Sequence, residues 1–488
     1  MRWQKWLSAL GIAGVALLGV LALRGGLLSA APVSPRPALA SVLLPDVPHE
    51  QQKPDFCGEA CAAMWLHKLG IAADQDQIFG LAEVDPEHGR GAHTAELALA
   101  LGRLGFRIGR GTYPVLGSRP ETPRMLDRLF AELHADLQAG VPSIVCMHYD
   151  DAPDTSEHFR LILGYDSPRD EIIYHEPAQA DGRYRRMPRS RFLALWPLKT
   201  DAYDWTVVRL RLDGKPAMPE AVANRRAAEY AQHILALRER LPAGFTLVHS
   251  PPFVVVGDGE AEQVQRHART SVAWAVKRLK ESYFPNDPDE IIDIWVFKDA
   301  ESYERYTRLL YNEEPETPYG YYSEKHHALF MNIATGGGTL VHEIVHPYLH
   351  ANFAAVPAWF NEGLGSLYEQ CDERDGQIVG LPNWRLEGLQ QRIRAGRLPS
   401  FRALTSSTSQ EFYQGVHAGS GYGQARYLLY YLQEQGLLRE YYRRFRAARR
   451  VDPSGYATLQ QVLGEADMSA FQSRWERWVL DLKFGEPQ

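Results

Sequence analysis

The sequence predicts an α+β protein built from two modules. Three observations carry that expectation. At 488 residues the chain is too long for one ordinary core. Over residues 51–212 helical patterns come first and strand patterns later. Then Asp213-Gly214-Lys215-Pro216 breaks the pattern, and from Gly338 onward nearly every segment reads as helix. Apolar content of 45% and charged content of 23% are those of a folded chain. The net charge of −7 is mild and no long basic run occurs, so nothing points to a nucleic-acid partner.

Residues 1–31 read as a signal peptide or an N-terminal membrane anchor. Arg2 and Lys5 precede an uncharged run from Leu7 to Leu23, which Arg24 closes, and Ser29-Ala30-Ala31 offers small residues for cleavage. Both outcomes, removal and retention as an anchor, stay open. No cysteine lies nearby for a lipid anchor. In either case the body of the chain is expected outside the cytoplasmic membrane, periplasmic or at the cell surface. Pro, Ala and Ser make 32–50 an extended linker.

In the first module, 51–212, helices are expected at 58–69, 94–103 and 123–138. Strands are expected at Ser143–Met147, His158–Tyr165, Ile172–Tyr174 and Trp205–Leu210. Residues 213–243 read as a linker helix opened by Pro219, with Tyr230, Ile234, Leu237 and Leu241 on one face. The second module, 244–488, starts with strands near Phe245–His249 and Phe253–Val256. A helix near 262–283 and strands at Ile291–Phe297 and Ala328–Ile333 follow.

Residues 339–350 read TLVHEIVHPYLH. On a helix, His342 and His346 stand four apart and project from one face, as two ligands of one metal ion do. Glu343 lies beside them, where a carboxylate can take a proton from an attacking water. Leu340, Val341, Ile344 and Val345 are apolar, so the helix is expected to be buried, and buried histidines need a strong partner. A catalytic zinc takes three protein ligands, and sixteen residues after His346 stands Glu362, within PAWFNEGLGSLYE. Pro347 is expected to kink the helix just past the second histidine.

HEIVH followed by WFNEG resembles the gluzincins, the thermolysin-like zinc metallopeptidases, over about 245–480. The resemblance implies Zn2+ as cofactor, His342, His346 and Glu362 as ligands, and Glu343 as general base. It also implies an edge strand beside the metal that binds substrate backbone, for which Ala328–Ile333 is the expected segment. Tyr422, in SGYGQARYLLYYL, is the candidate for stabilising a developing oxyanion, with His417 and Tyr427 behind it. These tyrosines read equally well as core residues of a helix.

The first module opens with QQKPDFCGEACAAM. Cys57 precedes an apolar helical run, and a helix N-terminus favours the thiolate. His158, starting HFRLILGYD, is the candidate base, Glu176, in IIYHEPA, its orienting carboxylate, and Gln51 an oxyanion donor. The Gln, the C-G-x-A-C run and HF…GYD with a carboxylate-Pro pair resemble the papain-like peptidases that trim double-glycine leaders from bacteriocins, and their stand-alone relatives. The resemblance spans about 50–200 and implies that Cys61 is packing rather than nucleophile. Two features depart from that family: Glu176 stands where an aspartate is usual, and no transporter membrane domain is present.

Together these readings give a papain-like cysteine peptidase domain followed by a thermolysin-like domain with a mostly helical C-terminal part. The expected substrate is a peptide or protein. Two alternatives stay open: that one module is catalytic while the other binds substrate, or that both are non-catalytic binding modules of the cell envelope. Four cysteines (Cys57, Cys61, Cys146 and Cys371) are too sparse for a disulfide framework, and two bridges among them could form in three ways.

Overall fold

The computed structural model describes residues 39–115, 122–152, 155–199, 205–219, 225–315, 317–414 and 418–485. Residues 1–31, read as a signal or anchor, and His417 lie outside them. Among the described residues no helix is long and apolar enough to cross a membrane, and the four cysteines are free thiols.

The first module is an antiparallel sheet with helices on both faces. Its strands run in the order Gly111–Val115, Trp205–Arg211, Ser143–His148, Glu157–Asp166, Glu171–His175 and Arg185–Pro188. The strand Glu157–Asp166 shows how side-chain alternation builds two cores. Phe159, Leu161 and Leu163 pack with the helix Cys57–Lys68. Ile162 and Tyr165 pack instead with Phe130 and Leu133 of the helix Thr122–Gln138. An irregularity in pairing between Ile162 and Gly164 accounts for the break in strict alternation.

The stretch expected as a free linker joins this sheet. Val42 and Leu43 pair with Tyr165 and Gly164, Leu44 donates to the Leu163 carbonyl, and Val47 is buried. From residue 42 the segment is therefore held by ladder bonds and core contacts, and does not behave as a tether. At the far end Asp213 and Gly214 pair with Arg107 and Phe106, so the chain stays hydrogen-bonded to the first module past Leu212.

The second module has a five-stranded sheet in the order Thr246–Ser250, Phe253–Gly257, Ile292–Phe297, Ala328–Asn332 and Gly320–Ser323. The middle three are mutually parallel and the outer two antiparallel to their neighbours. Every residue of those three central strands is buried, the pattern of parallel strands covered on both faces. Ala328–Asn332, expected at the edge, is therefore interior. The outer strand on that side is Gly320–Ser323, a short segment that sequence periodicity did not mark.

Helices cover this sheet differently on its two faces. Val255, Ile294 and Leu329 join the large core with Ile344, Trp359, Leu364 and the C-terminal helices. On the other face Val254, Trp295 and Phe330 pack against Tyr230, Ile234 and Leu237. Those last three come from the helix Arg225–Arg240, so this segment is a structural layer of the second module as well as a connection. The helix expected at 262–283 runs from Ala261 to Ser282, with a widened π turn at His267–Val272.

Candidate active sites

Cys57 is the first residue of its helix, as the sequence predicts, and its thiol is half-buried. The close seating of this helix depends on Gly58. A Cβ there would lie 2.7 Å from Leu97 Cδ2 and 3.2 Å from Phe159 Cδ2. The expected thiolate is opposed by the surroundings. Burial, with Glu59 and Asp55 nearby, pushes the Cys57 thiol up to about 12, and the backbone N–H of Phe159 works the other way. Helix-end position alone does not decide the charge. Glu59 is fully buried, accepts from the Ala92 N–H at 2.8 Å, and burial pushes its carboxyl up to about 8.

The hydrogen bond from Phe159 places the residue after His158 against Cys57. Glu176 Oε1 lies 2.5 Å from His158 Nε2, and both side chains are buried. A carboxylate there requires the proton on Nε2, which leaves the Nδ1 lone pair available as a base. Glu176 Oε2 accepts from Arg160 Nε at 2.7 Å. Burial opposes the charge on Glu176, but His158 and Arg160 outweigh it and hold the carboxyl below its ordinary range. Cys61 is buried in the core, in keeping with packing.

Gln51 is exposed, and its carbonyl accepts from Gln75 Nε2 at 3.0 Å. Gln52 lies next to it in the chain. Its N–H donates to the Pro177 carbonyl at 2.9 Å, next to Glu176. Its buried Oε1, an acceptor, has no hydrogen-bond partner among the described residues.

In the second module His342, Glu343 and His346 lie on one helix, Gly338–Asn352, which continues through Pro347. Donor atoms of these three buried residues lie within 4.8 Å of one another. Glu362, on the helix Ala358–Leu367, brings Oε2 within 3.3 Å of His342 Nε2. Each imidazole is held from behind. His342 Nδ1 lies 3.1 Å from Glu369 Oε1, and His346 Nδ1 lies 3.0 Å from Asn361 Oδ1. Glu369 is in turn gripped by Arg385 Nε at 2.8 Å and NH2 at 2.6 Å, and by Asn383 at 2.9 Å.

Charges in this cluster answer one another. Burial opposes charge on His342, yet Glu362 and Glu369 overcome it and raise the imidazole to about 10. Burial likewise opposes charge on Glu362, but His346 and His342 hold its carboxyl down at about 2. Glu343 moves the other way: burial pushes its carboxyl up. Tyr413 donates to Glu362 Oε1 at 2.7 Å. Tyr422 packs on Phe412 and under the Arg385 guanidinium, near enough to the cluster that burial and then Glu362 and Glu343 push its hydroxyl up, and Tyr427 accepts from the Asn383 N–H. The structure thus puts Tyr413 on the cluster, a residue that no motif marked.

Residues 44–202 match the Peptidase_C39 like family. The match takes in Cys57, His158, Glu176 and the sheet that carries them, and the N-terminal module has the papain-like C39 peptidase fold. A solved structure described as the peptidase domain of Streptococcus ComA, a bi-functional ABC transporter involved in a quorum-sensing pathway, is 16% identical. The similarity covers 33% of this chain and 95% of that one, with a TM-score of 0.22. No curated protein matches the chain. The Peptidase_C39 like segment ends before the second sheet begins, so the HEIVH cluster stands on its own geometry.

Proposed function

We propose that the protein is a peptidase with two centres, a cysteine centre at Cys57 and a zinc centre at His342, His346 and Glu362. The observation that carries the first is the His158–Glu176 hydrogen bond, on the strand whose next residue bonds Cys57. His158 Nδ1 takes the thiol proton as Sγ attacks a peptide carbonyl, which suits a thiol that does not ionise unaided. Gln51, six residues before Cys57, is the candidate donor to the oxyanion. The amine leaves with the proton from His158, and water, deprotonated by the same nitrogen, releases the acyl group from sulfur.

The second centre fits zinc by its donor set. Two imidazoles have their Nδ1 atoms engaged by Glu369 and Asn361, which leaves Nε2 as the donor of each, and a charged carboxylate stands beside them. A zinc ion bound there supplies Lewis acidity toward water and a peptide carbonyl. Glu343, starting as the carboxylate, would take a proton from the attacking water and return it to the leaving amine, and the burial that raises its pKa makes it the stronger base. Tyr413 orients Glu362. The pattern resembles the gluzincins, and Gly320–Ser323 takes the part of the edge strand: its Tyr322 N–H bonds Glu343. The chain is read as exported, acting on peptides or proteins outside the cytoplasmic membrane.

One observation favours a second reading in which only the zinc centre turns over: burial and two neighbouring acids hold Cys57 as a thiol. Proteolysis of a casein panel by wild type, Cys57→Ala and Glu343→Gln, with and without a chelator, separates the readings. Two active centres predict that each variant loses part of the activity and that the chelator removes only the part Glu343→Gln removes. Full activity in Cys57→Ala selects the second reading. Full activity in Glu343→Gln together with chelator resistance overturns the zinc centre.

A further inference from the structure

We propose that Arg160 is a positioning residue of the cysteine centre, holding the Glu176 carboxylate so that its other oxygen meets His158. The proposal rests on Cys57 and His158 being nucleophile and base. A glutamate reaching for an imidazole has one more torsion to fix than an aspartate, and that freedom costs geometry unless something holds it. Here the two oxygens are divided. Oε1 faces His158 at 2.5 Å and Oε2 accepts from Arg160 Nε at 2.7 Å. The Ala178 N–H adds a contact to Oε1 at 3.2 Å.

Arg160 is itself fixed. It is 3% exposed. Its terminal nitrogens donate to the carbonyls of His148 at 3.2 Å and Tyr149 at 2.8 Å. Its guanidinium sits 5.3 Å from the Tyr149 ring and 5.6 Å from the Tyr174 ring. The Tyr149 ring meets the His158 imidazole edge-on at 5.2 Å. One arginine therefore holds the carboxylate at Nε2 while backbone carbonyls and two rings anchor its own fork. Only a planar fork with several donors can do this, so lysine is an incomplete substitute. The groups facing Glu176 are His158 and Arg160 from the neighbouring strand, Cys61 from the cysteine helix, and Tyr174 from the strand that ends just before it. His49 bonds its backbone carbonyl.

The test reads the rate of Cys57 alkylation by iodoacetamide against pH, in the full chain, with the labelled peptide identified by mass spectrometry. Arg160→Gln is expected to slow alkylation at neutral pH about tenfold and to move the inflection of the pH profile, with Arg160→Lys falling between it and wild type. In a Glu176→Gln background, Arg160→Gln is expected to add nothing, because the arginine acts through that carboxylate. A wild-type profile in Arg160→Gln, or an equal further loss in the Glu176→Gln background, overturns the proposal. Should Arg160→Gln fail to fold by circular dichroism, Arg160→Lys decides: a wild-type rate overturns the proposal and an intermediate rate supports it. The parent reading fails separately, if His158→Ala alkylates at Cys57 as fast as wild type.

Discussion

At the residue scale, both centres depend on buried acids whose charge is set by what surrounds them. Glu59 shows the sign most directly. Its carboxyl is raised from an ordinary 4.5 to about 8 by burial, so the folded chain holds a proton that the unfolded chain has released between those values. Its contribution to stability is present below about pH 4.5 and is lost as pH rises through about 8. Glu59→Gln should therefore gain stability over wild type across that window, by at most about 1.4 kcal/mol per pH unit. Thermal melts of both proteins from pH 5 to 9 check this; parallel curves refute it. Tyr413 and Tyr422 give a second contrast. Tyr413→Phe removes the hydrogen bond to Glu362 and should weaken zinc retention against a chelating dye about tenfold, while Tyr422→Phe should leave it near wild type. Residues legible in the sequence were those whose partners lie at fixed helical spacing, such as His342 and His346, or those within a motif, such as Cys57. Arg160, Glu369 and Tyr413 were not legible, because each acquires its role from a partner on another element.

At the element scale, the second cluster exists because two helices approach very closely. The helix Ala358–Leu367 presents Gly365 to the imidazoles: a Cβ there would lie 3.0 Å from His342 Cδ2 and Nε2 and 3.2 Å from His346 Cε1. Spacing in the sequence placed Glu362 opposite the histidines, but it gave no reason for the glycine three residues later. Gly365→Ala forces both rings to give by a few tenths of an ångström while helix propensity itself improves. The expected outcome is an unchanged or higher melting temperature of the metal-free chain with zinc affinity lower by about tenfold, measured by dye competition. Undiminished affinity would show that the rings have slack. The sheet of this module was misread for a related reason. Its central strands are uniformly apolar, so periodicity could not tell an interior strand from an edge, and Gly320–Ser323 is too short to register.

At the scale of the whole molecule, the helix Arg225–Arg240 decides whether the two modules act as one body. Tyr230, Ile234 and Leu237 lie in the second module, while Ala228 and Ala231 pack into the core of the first and polar residues reach the same way. Gln232 donates to the Pro54 carbonyl at 2.8 Å, three residues before Cys57. Arg238 donates to the carbonyls of Glu87 and His88, and Arg225 pairs with Asp74 at 2.8 Å. The His249 N–H adds a bond to Glu87 Oε2 at 2.9 Å. Between these ties the seam is not filled: a hollow of about 640 Å³ runs among Phe79, Pro86, Tyr230, His249 and Pro252. Apolar packing across the seam comes from Ala228 and Ala231, which sit in the core of the first module, and the polar ties add to it. Amphipathic spacing in the sequence predicted the helix and its buried face, but the partners of its other face, core residues and loops of the first module, are set only by the fold. Gln232→Ala with Arg238→Ala should then leave each module folded while loosening their union. Calorimetry is expected to show one thermal transition in wild type and two in the double variant, with only the later or the earlier of the two moved by zinc. A single transition in the double variant that zinc shifts as a whole would place the coupling in the apolar contacts instead.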